Sequence, residues 1–177
     1  MYFHFDAAYV GKPQSATLLY SVEVPSIGGN TLFANMYRAY ENVPASLKAR
    51  LQGKTALRVY DYTTIEKPDI ATRLSELKHC SHPVFITHPV TKRKALSVSR
   101  LMTARINGMD ETESSDILEE LYTYAEDPRI QYEHLWQRGD FIAWDNLCSA
   151  HARSDFSAAE RRLLLRGVVE GNYRPTA

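Results

Sequence analysis

HFDAAY, residues 4 to 9, decides how the rest of the chain is read. In an extended segment, side chains two apart point to one face. His4 and Asp6 would then project an imidazole and a carboxylate together. A second imidazole on that face completes the donor set of a non-haem Fe(II) centre: two His and one carboxylate, with positions left open. The candidate is His151, far along the chain in WDNLCSAHARSDF (144–156). By itself, His-x-Asp is a common tripeptide. Taken alone, it is better explained by two solvated residues near a fraying end, so the surrounding sequence has to decide.

The 177 residues are 44% hydrophobic and 24% charged, which fits a single domain over residues 1–177 with its own core. Lys and Arg number 21 and Asp and Glu number 21, so the formal net charge is zero. Such a balance gives no electrostatic reason to expect nucleic acid or an anionic membrane surface as partner. It favours modest solubility and self-association. No apolar run approaches the roughly 20 residues that span a bilayer, and no basic-then-apolar leader is read at the start. The two cysteines, Cys80 and Cys148, make no disulfide framework, so a reducing, cytoplasmic setting is expected.

The local patterns are mostly short strands. ATLLYSVEV (16–24) is β-branched and aromatic and reads as a strand, followed by a PSIGGNT turn (25–31). FANMYRAYENV (33–43) and PASLKARL (44–51) read as helices, the second with Pro44 at its start. Residues 53–83, with Gly53, Pro68 and Pro83, carry no clear period. VFITHP (84–89) and KALSVS (94–99) read as strands around a VTKR turn. DETESSDILEELYTYAED (110–127) is the clearest helix: Ile117, Leu118, Leu121, Tyr122 and Ala125 recur at helical spacing behind an acidic first turn. IQYEHLW (130–136) alternates as a strand does, and QRGDFIAWDN (137–146) turns at a glycine into another. RRLLLRGVVEG (161–171) fits either helix or strand. The sum is a mainly β domain, a sandwich or jelly roll carrying helical insertions.

Four further strings give HFD its context: GGNTLFANMYRAY (28–40), HPVFITHPVTKRKALSVS (82–99), GDFIAWDN (139–146) and RRLLLRG (161–167). In that order, from His4 to about Arg174, the chain resembles the taurine dioxygenase and chlorophenoxyacetate dioxygenase family of Fe(II)/2-oxoglutarate oxygenases. No single string is specific; the ordered set is. The resemblance implies a double-stranded β-helix, a jelly roll of the clavaminate synthase type. It implies Fe(II), 2-oxoglutarate and O2, and hydroxylation of a small organic substrate with release of succinate and CO2. Position by position, His4, Asp6 and His151 match the family's iron ligands and catalytic centre. Thr31 matches the threonine that hydrogen-bonds the distal carboxylate of 2-oxoglutarate, and Arg162 the arginine that pairs with it. Arg166 matches an arginine that meets an anionic group of the substrate in several members. Guanidinium suits both tasks, because its rigid fork meets a carboxylate through two parallel hydrogen bonds. Asp6 favours hydroxylation over halogenation, since a missing carboxylate would open a halide position.

Asn30 stands where the family often has Asp. Family members usually carry many more residues ahead of His-x-Asp, so the resemblance also implies an N-terminally truncated core with an uncovered sheet edge. A homo-oligomer or a partner chain covering that edge is expected. A catalytically silent homologue, acting as a structural or binding subunit, is the alternative to an active oxygenase.

The remaining candidates read as structural. HCSH (79–82) with His88 has metal-like residue types but only one local cysteine, against the tighter Cys/His sets of zinc sites. Cys148 and His151 have the spacing of a thiol and a base, without further support. Trp136 and Trp144 are expected in the core and Arg161 in a surface ion pair. Asp145 and Asn146 fit either a turn or hydrogen bonds around His151.

Overall fold

β-branched and aromatic residues prefer the pleated, half-buried surface of a sheet, and most of this chain is built that way. The computed structural model describes residues 2–61 and 70–177. In chain order the strands are β1 (Ala16–Glu23), β2 (Thr31–Asn35), β3 (Thr55–Tyr60), β4 (Lys78–Pro83), β5 (Phe85–Thr87), β6 (Lys94–Leu96), β7 (Thr103–Ile106), β8 (Gln131–His134), β9 (Phe141–Asp145), β10 (Ser149–Arg153) and β11 (Leu163–Val169). The helices are α1 (Met36–Asn42), α2 (Ala45–Leu51), α3 (Ile70–Arg73) and α4 (Glu111–Ala125).

The two sheets that matter for the site each centre on an early strand flanked by late ones. β1 lies between β11 and β9, antiparallel to both, and β2 lies between β10 and β8, again antiparallel. Residues of both sheets line one cavity between them. This is the jelly-roll arrangement expected from the sequence. A third sheet, β4-β3-β7, and the β5–β6 hairpin extend the body. α4 presents Ile117, Leu118, Leu121, Tyr122 and Ala125 to a core that also holds Met36, Ala39, Leu96 and Ile106. Asp110 caps α4 by accepting from the Glu113 N–H at 2.9 Å.

Three local readings change. Phe33, Ala34 and Asn35 belong to β2 and not to a helix. The helix starts one residue later because the Asn35 side chain accepts from the Tyr37 and Arg38 N–H groups, which ends the strand and caps α1. The ambiguous RRLLLRGVVEG segment is a strand, because seven of its residues pair with β1, from Leu163↔Glu23 to Val169↔Ala16. The illegible 53–83 region contains β3 and β4, paired along their length; Pro68 lies outside the described residues.

β1 reverses the usual burial pattern. Thr17 and Ser21 point inward and are 1% and 0% exposed, while Tyr20 is 44% exposed. Tyr20 stands in register with Phe141 on one side and Leu165 on the other, and these are 62% and 58% exposed. The outer face of this sheet is therefore an uncovered apolar ladder, and its inner face carries small polar groups.

Candidate metal centre and its cavity

The opening segment is not frayed. His4 donates its N–H to the His151 carbonyl at 3.0 Å and accepts from the His151 N–H at 2.9 Å. Phe5 and Ala8 are buried, Tyr9 stacks on Tyr60 at 5.4 Å between ring centroids, and the His82 Nε2–H donates to the Val10 carbonyl at 2.8 Å. His4 and His151 thus face each other as a cross-strand pair, with ring centroids 4.3 Å apart. Asp6 comes in beside them, its Oδ2 3.8 Å from His151 Nε2. One ligand atom from each of His4, Asp6 and His151 lies within 4.8 Å of the others.

The donor set fits a divalent metal ion. His4 Nδ1–H donates to the Tyr2 carbonyl at 3.1 Å, which leaves the Nε2 lone pair free. Burial lowers the pKa of His4 and, more strongly, of His151, where the facing His4 adds to the effect, so both rings stay neutral. Burial opposes ionisation of Asp6. His151, the Thr17 hydroxyl and the Arg166 guanidinium outweigh it and hold the carboxyl below its usual pKa. Two neutral imidazoles and one carboxylate are the protonation states metal binding needs. His151 Nδ1 is buried without a hydrogen-bond partner among the described residues.

The cavity over these groups has a volume of about 280 Å³ and is lined by Thr31, Arg162 and Arg166 as well as the three candidate ligands. All six residues singled out in the sequence therefore meet at one place. Thr31, at the start of β2, accepts from the Trp136 indole N–H at 3.0 Å. Arg162 precedes β11 and donates from Nε to the Gly29 carbonyl at 2.7 Å. That contact needs the two glycines before Thr31. A Cβ on Gly28 (φ +76) would sit 2.1 Å from the Asp155 carbonyl oxygen, and one on Gly29 3.1 Å from Arg162 Cδ. Arg166 is half-exposed and pairs with Asp6 Oδ1 at 3.0 Å, while also donating to Gln14 at 3.0 Å.

Some residues of the site escaped the sequence reading. Arg153, two after His151 and opposite Thr31 in register, lines the same cavity, and its charge adds to burial in lowering the Arg162 pKa. Period-two spacing from His151 is the signal that could have found it. Trp144 was expected in the core; it is only half-buried, lies 4.9 Å from the His151 ring and lines the cavity. Thr17 carried no signal.

The other candidates separate. His79 is exposed and His82 is bound to Val10, so HCSH does not converge. Trp136 is buried, and Arg161 pairs with Glu23 on the surface at 3.3 Å. His88, Asp145 and Cys148 do lie close enough to share an ion. However, His88 Nδ1 accepts from the Val90 and Thr91 N–H groups at 3.2 and 3.1 Å. The ring proton is thereby placed on Nε2, which donates to Asp145 Oδ2 at 2.9 Å and has no lone pair for a metal. The Cys148 thiol is pushed up to about 11 by burial and by Asp145, which removes it as a nucleophile at neutral pH. A larger hollow of about 560 Å³, by Tyr40, Lys48, Lys54 and Lys94, has no Asp, Glu, His or Cys side chain on its walls among the described residues.

Comparison with known proteins agrees with the geometry. Residues 1–168 match the family described as "Taurine catabolism dioxygenase TauD, TfdA family". Pentalenolactone F synthase of Streptomyces arenae is 34% identical over 183 residues, covering 96% of this chain and 61% of that protein. The (S)-phenoxypropionate/alpha-ketoglutarate-dioxygenase of Sphingobium herbicidovorans is 29% identical, covering 97% of this chain and 63% of that protein. The chain thus spans a little over three-fifths of the length of these relatives. The crystal structure of AAD-2 in complex with Mn(II) and N-oxalylglycine superposes with a TM-score of 0.87 at 27% identity, over 99% of this chain and 70% of the other.

Proposed function

This chain belongs to the taurine catabolism dioxygenase TauD, TfdA family, and from that premise we propose that it is an Fe(II)- and 2-oxoglutarate-dependent dioxygenase hydroxylating a small anionic organic substrate. His4, Asp6 and His151 hold Fe(II). Thr31 and Arg162 take the distal carboxylate of 2-oxoglutarate, and Arg166 meets an anionic group of the substrate. Bound iron supplies the activation of O2 that decarboxylates 2-oxoglutarate to succinate and CO2 and oxidises a substrate C–H bond. The chain's own part is binding, orientation and exclusion of water. Thr31 offers a hydroxyl fixed by the Trp136 indole, and Arg162 a guanidinium fixed by Gly29, so little ordering is left to the bound acid. Arg153 beside Arg162 makes that end of the cavity more positive, which suits a dianion.

The observation that carries this reading is the meeting of the three ligand residues with Thr31, Arg162 and Arg166 on the wall of one cavity. The test is anaerobic addition of Fe(II) and 2-oxoglutarate to the purified chain, followed by visible spectroscopy. The expected result is a weak charge-transfer band that disappears in His4→Ala. A chain that binds Fe(II) and 2-oxoglutarate by calorimetry yet never shows the band would sink the assignment.

One observation favours the second reading, a silent homologue serving as a binding subunit. The Arg166 guanidinium sits on Asp6, where it competes with a metal ion for the carboxylate. Failure to bind any divalent ion at neutral pH would decide for that reading. We also propose a single domain, a reducing cytoplasmic setting that keeps Cys80 and Cys148 as thiols, and a second copy or partner chain over the uncovered sheet. Among the described residues no helix is long and apolar enough to cross a membrane.

A further inference from the structure

We propose that Thr17 and Asn146 are positioning residues that fix the carboxylate of Asp6 for metal binding, through a hydrogen-bond relay whose direction is set by Trp144. The proposal rests on the reading of His4, Asp6 and His151 as metal ligands.

The relay runs through buried groups. The Trp144 indole N–H donates to Asn146 Oδ1 at 2.9 Å. Asn146 Nδ2 donates to Thr17 Oγ1 at 2.9 Å, and the Thr17 hydroxyl is hydrogen-bonded to Asp6 Oδ2. Thr17 is 1% exposed and Asn146 3%. Each direction is forced by the one before it. An indole only donates, so the amide oxygen of Asn146 must face Trp144 and its NH2 must face Thr17. Thr17 Oγ1 therefore accepts from Asn146, and its single proton is left for the carboxylate. A hydroxyl held as a donor fixes which way the plane of the Asp6 carboxylate lies.

Asp6 needs this external hold. It lies outside the named strands, and Ala7 beside it has a positive φ of 54°, so the backbone turns away at once. Backbone pairing fixes His4 through His151 but stops short of Asp6. The hold on Oδ2 comes from the sheet opposite, from β1 and the β9–β10 turn, while Arg166 of β11 meets Oδ1. That turn is itself pinned: Asp145 Oδ1 accepts from the Leu147 N–H at 2.7 Å, and His88 holds the other oxygen. Asn146 thus acts on Asp6, and not on His151 as its position in the sequence suggested.

The test is the affinity of the 177-residue chain for Mn(II) alone, read by electron paramagnetic resonance of the free ion. Thr17→Val keeps the shape and removes the hydroxyl; Thr17→Ser keeps the hydroxyl. Asn146→Asp keeps the acceptor for Trp144 and loses the donor to Thr17. Thr17→Val and Asn146→Asp are expected to weaken Mn(II) binding by about 10–100-fold, the usual effect of removing a group that orients a ligand. Thr17→Ser is expected to retain most of the affinity, which a merely space-filling role for Thr17 would not predict. Wild-type binding with unchanged affinity in folded Thr17→Val overturns the positioning role alone. Absence of Mn(II) binding by the wild-type chain overturns the metal reading as well.

Discussion

Arg162 illustrates what one side chain contributes at this site. Its Nε is spent on the Gly29 carbonyl, so its forked end is the part offered to a bound acid. Arg162→Lys keeps the charge but loses both the fork and the backbone contact. The 2-oxoglutarate concentration giving half-maximal turnover is expected to rise about tenfold or more, in line with the loss of a charge-assisted hydrogen bond. Mn(II) affinity should stay near wild type. An unchanged 2-oxoglutarate requirement would remove Arg162 from the assignment. His151→Ala is the harsher change, because it deletes one of the three proposed ligands; metal binding and metal-dependent turnover are both expected to be lost. Retained turnover would mean that the three-ligand assignment is wrong.

Elements, rather than residues, place these groups. The turn before β2 is pressed so closely against the segment after β10 that Gly28 has no room for a side chain. Gly28→Ala adds a positive-φ penalty to that clash and is expected to destabilise the chain by more than about 1 kcal/mol. A lower urea midpoint together with a raised 2-oxoglutarate requirement would show both consequences, since the same turn holds Arg162. α4 gives a contrasting case, stable for reasons far from the chemistry. Leu121 is 0% exposed in the core, and Leu121→Ala is expected to cost about 2–5 kcal/mol. Asp110→Ala, losing only the cap, should cost about 1 kcal/mol. Neither change should alter Mn(II) affinity while the chain remains folded.

At the scale of the whole molecule, acid should unfold the chain partly through His82. This ring is 2% exposed, and burial, with the nearby Arg58 guanidinium, lowers its pKa to about 4 from 6.5. The unfolded chain therefore takes up a proton near pH 6.5, while the folded chain resists until about pH 4. Stability from this group is fully present above pH 6.5 and drains as pH falls between those values, by about 2 kcal/mol from pH 7 to pH 5. Urea midpoints at the two pH values should separate by less in His82→Gln than in the wild type; an equal separation would place the acid sensitivity elsewhere. The ladder of Phe141, Tyr20 and Leu165 bears on association instead, because a chain of zero net charge has little to keep copies apart. Leu165→Lys, on the face opposite Arg166, is expected to reduce concentration-dependent association in sedimentation experiments.

Much of what depends on near neighbours was legible in the sequence. The acidic first turn and apolar period of α4, the glycine turn before Thr31, and the β-branched and aromatic composition of β1 are set by residues within a few positions of one another. The ordered strings HFD, GGNT, WDNLCSAH and RRLLLRG carried the six candidate residues, because each string serves one local turn or strand. Pairing across the chain was not legible. RRLLLRGVVEG has a composition that suits helix or strand, and only its antiparallel match to β1 makes it a strand. FAN reads as helix until β10 and β8 claim it as the strand between them. Thr17 looks like any strand threonine until Asn146 and Asp6, one from each end of the chain, close on its hydroxyl. Local sequence fixes backbone preference and the supply of chemical groups. Only tertiary structure decides which distant groups share a hydrogen bond, since such contacts depend on sheet register and leave no period along the chain.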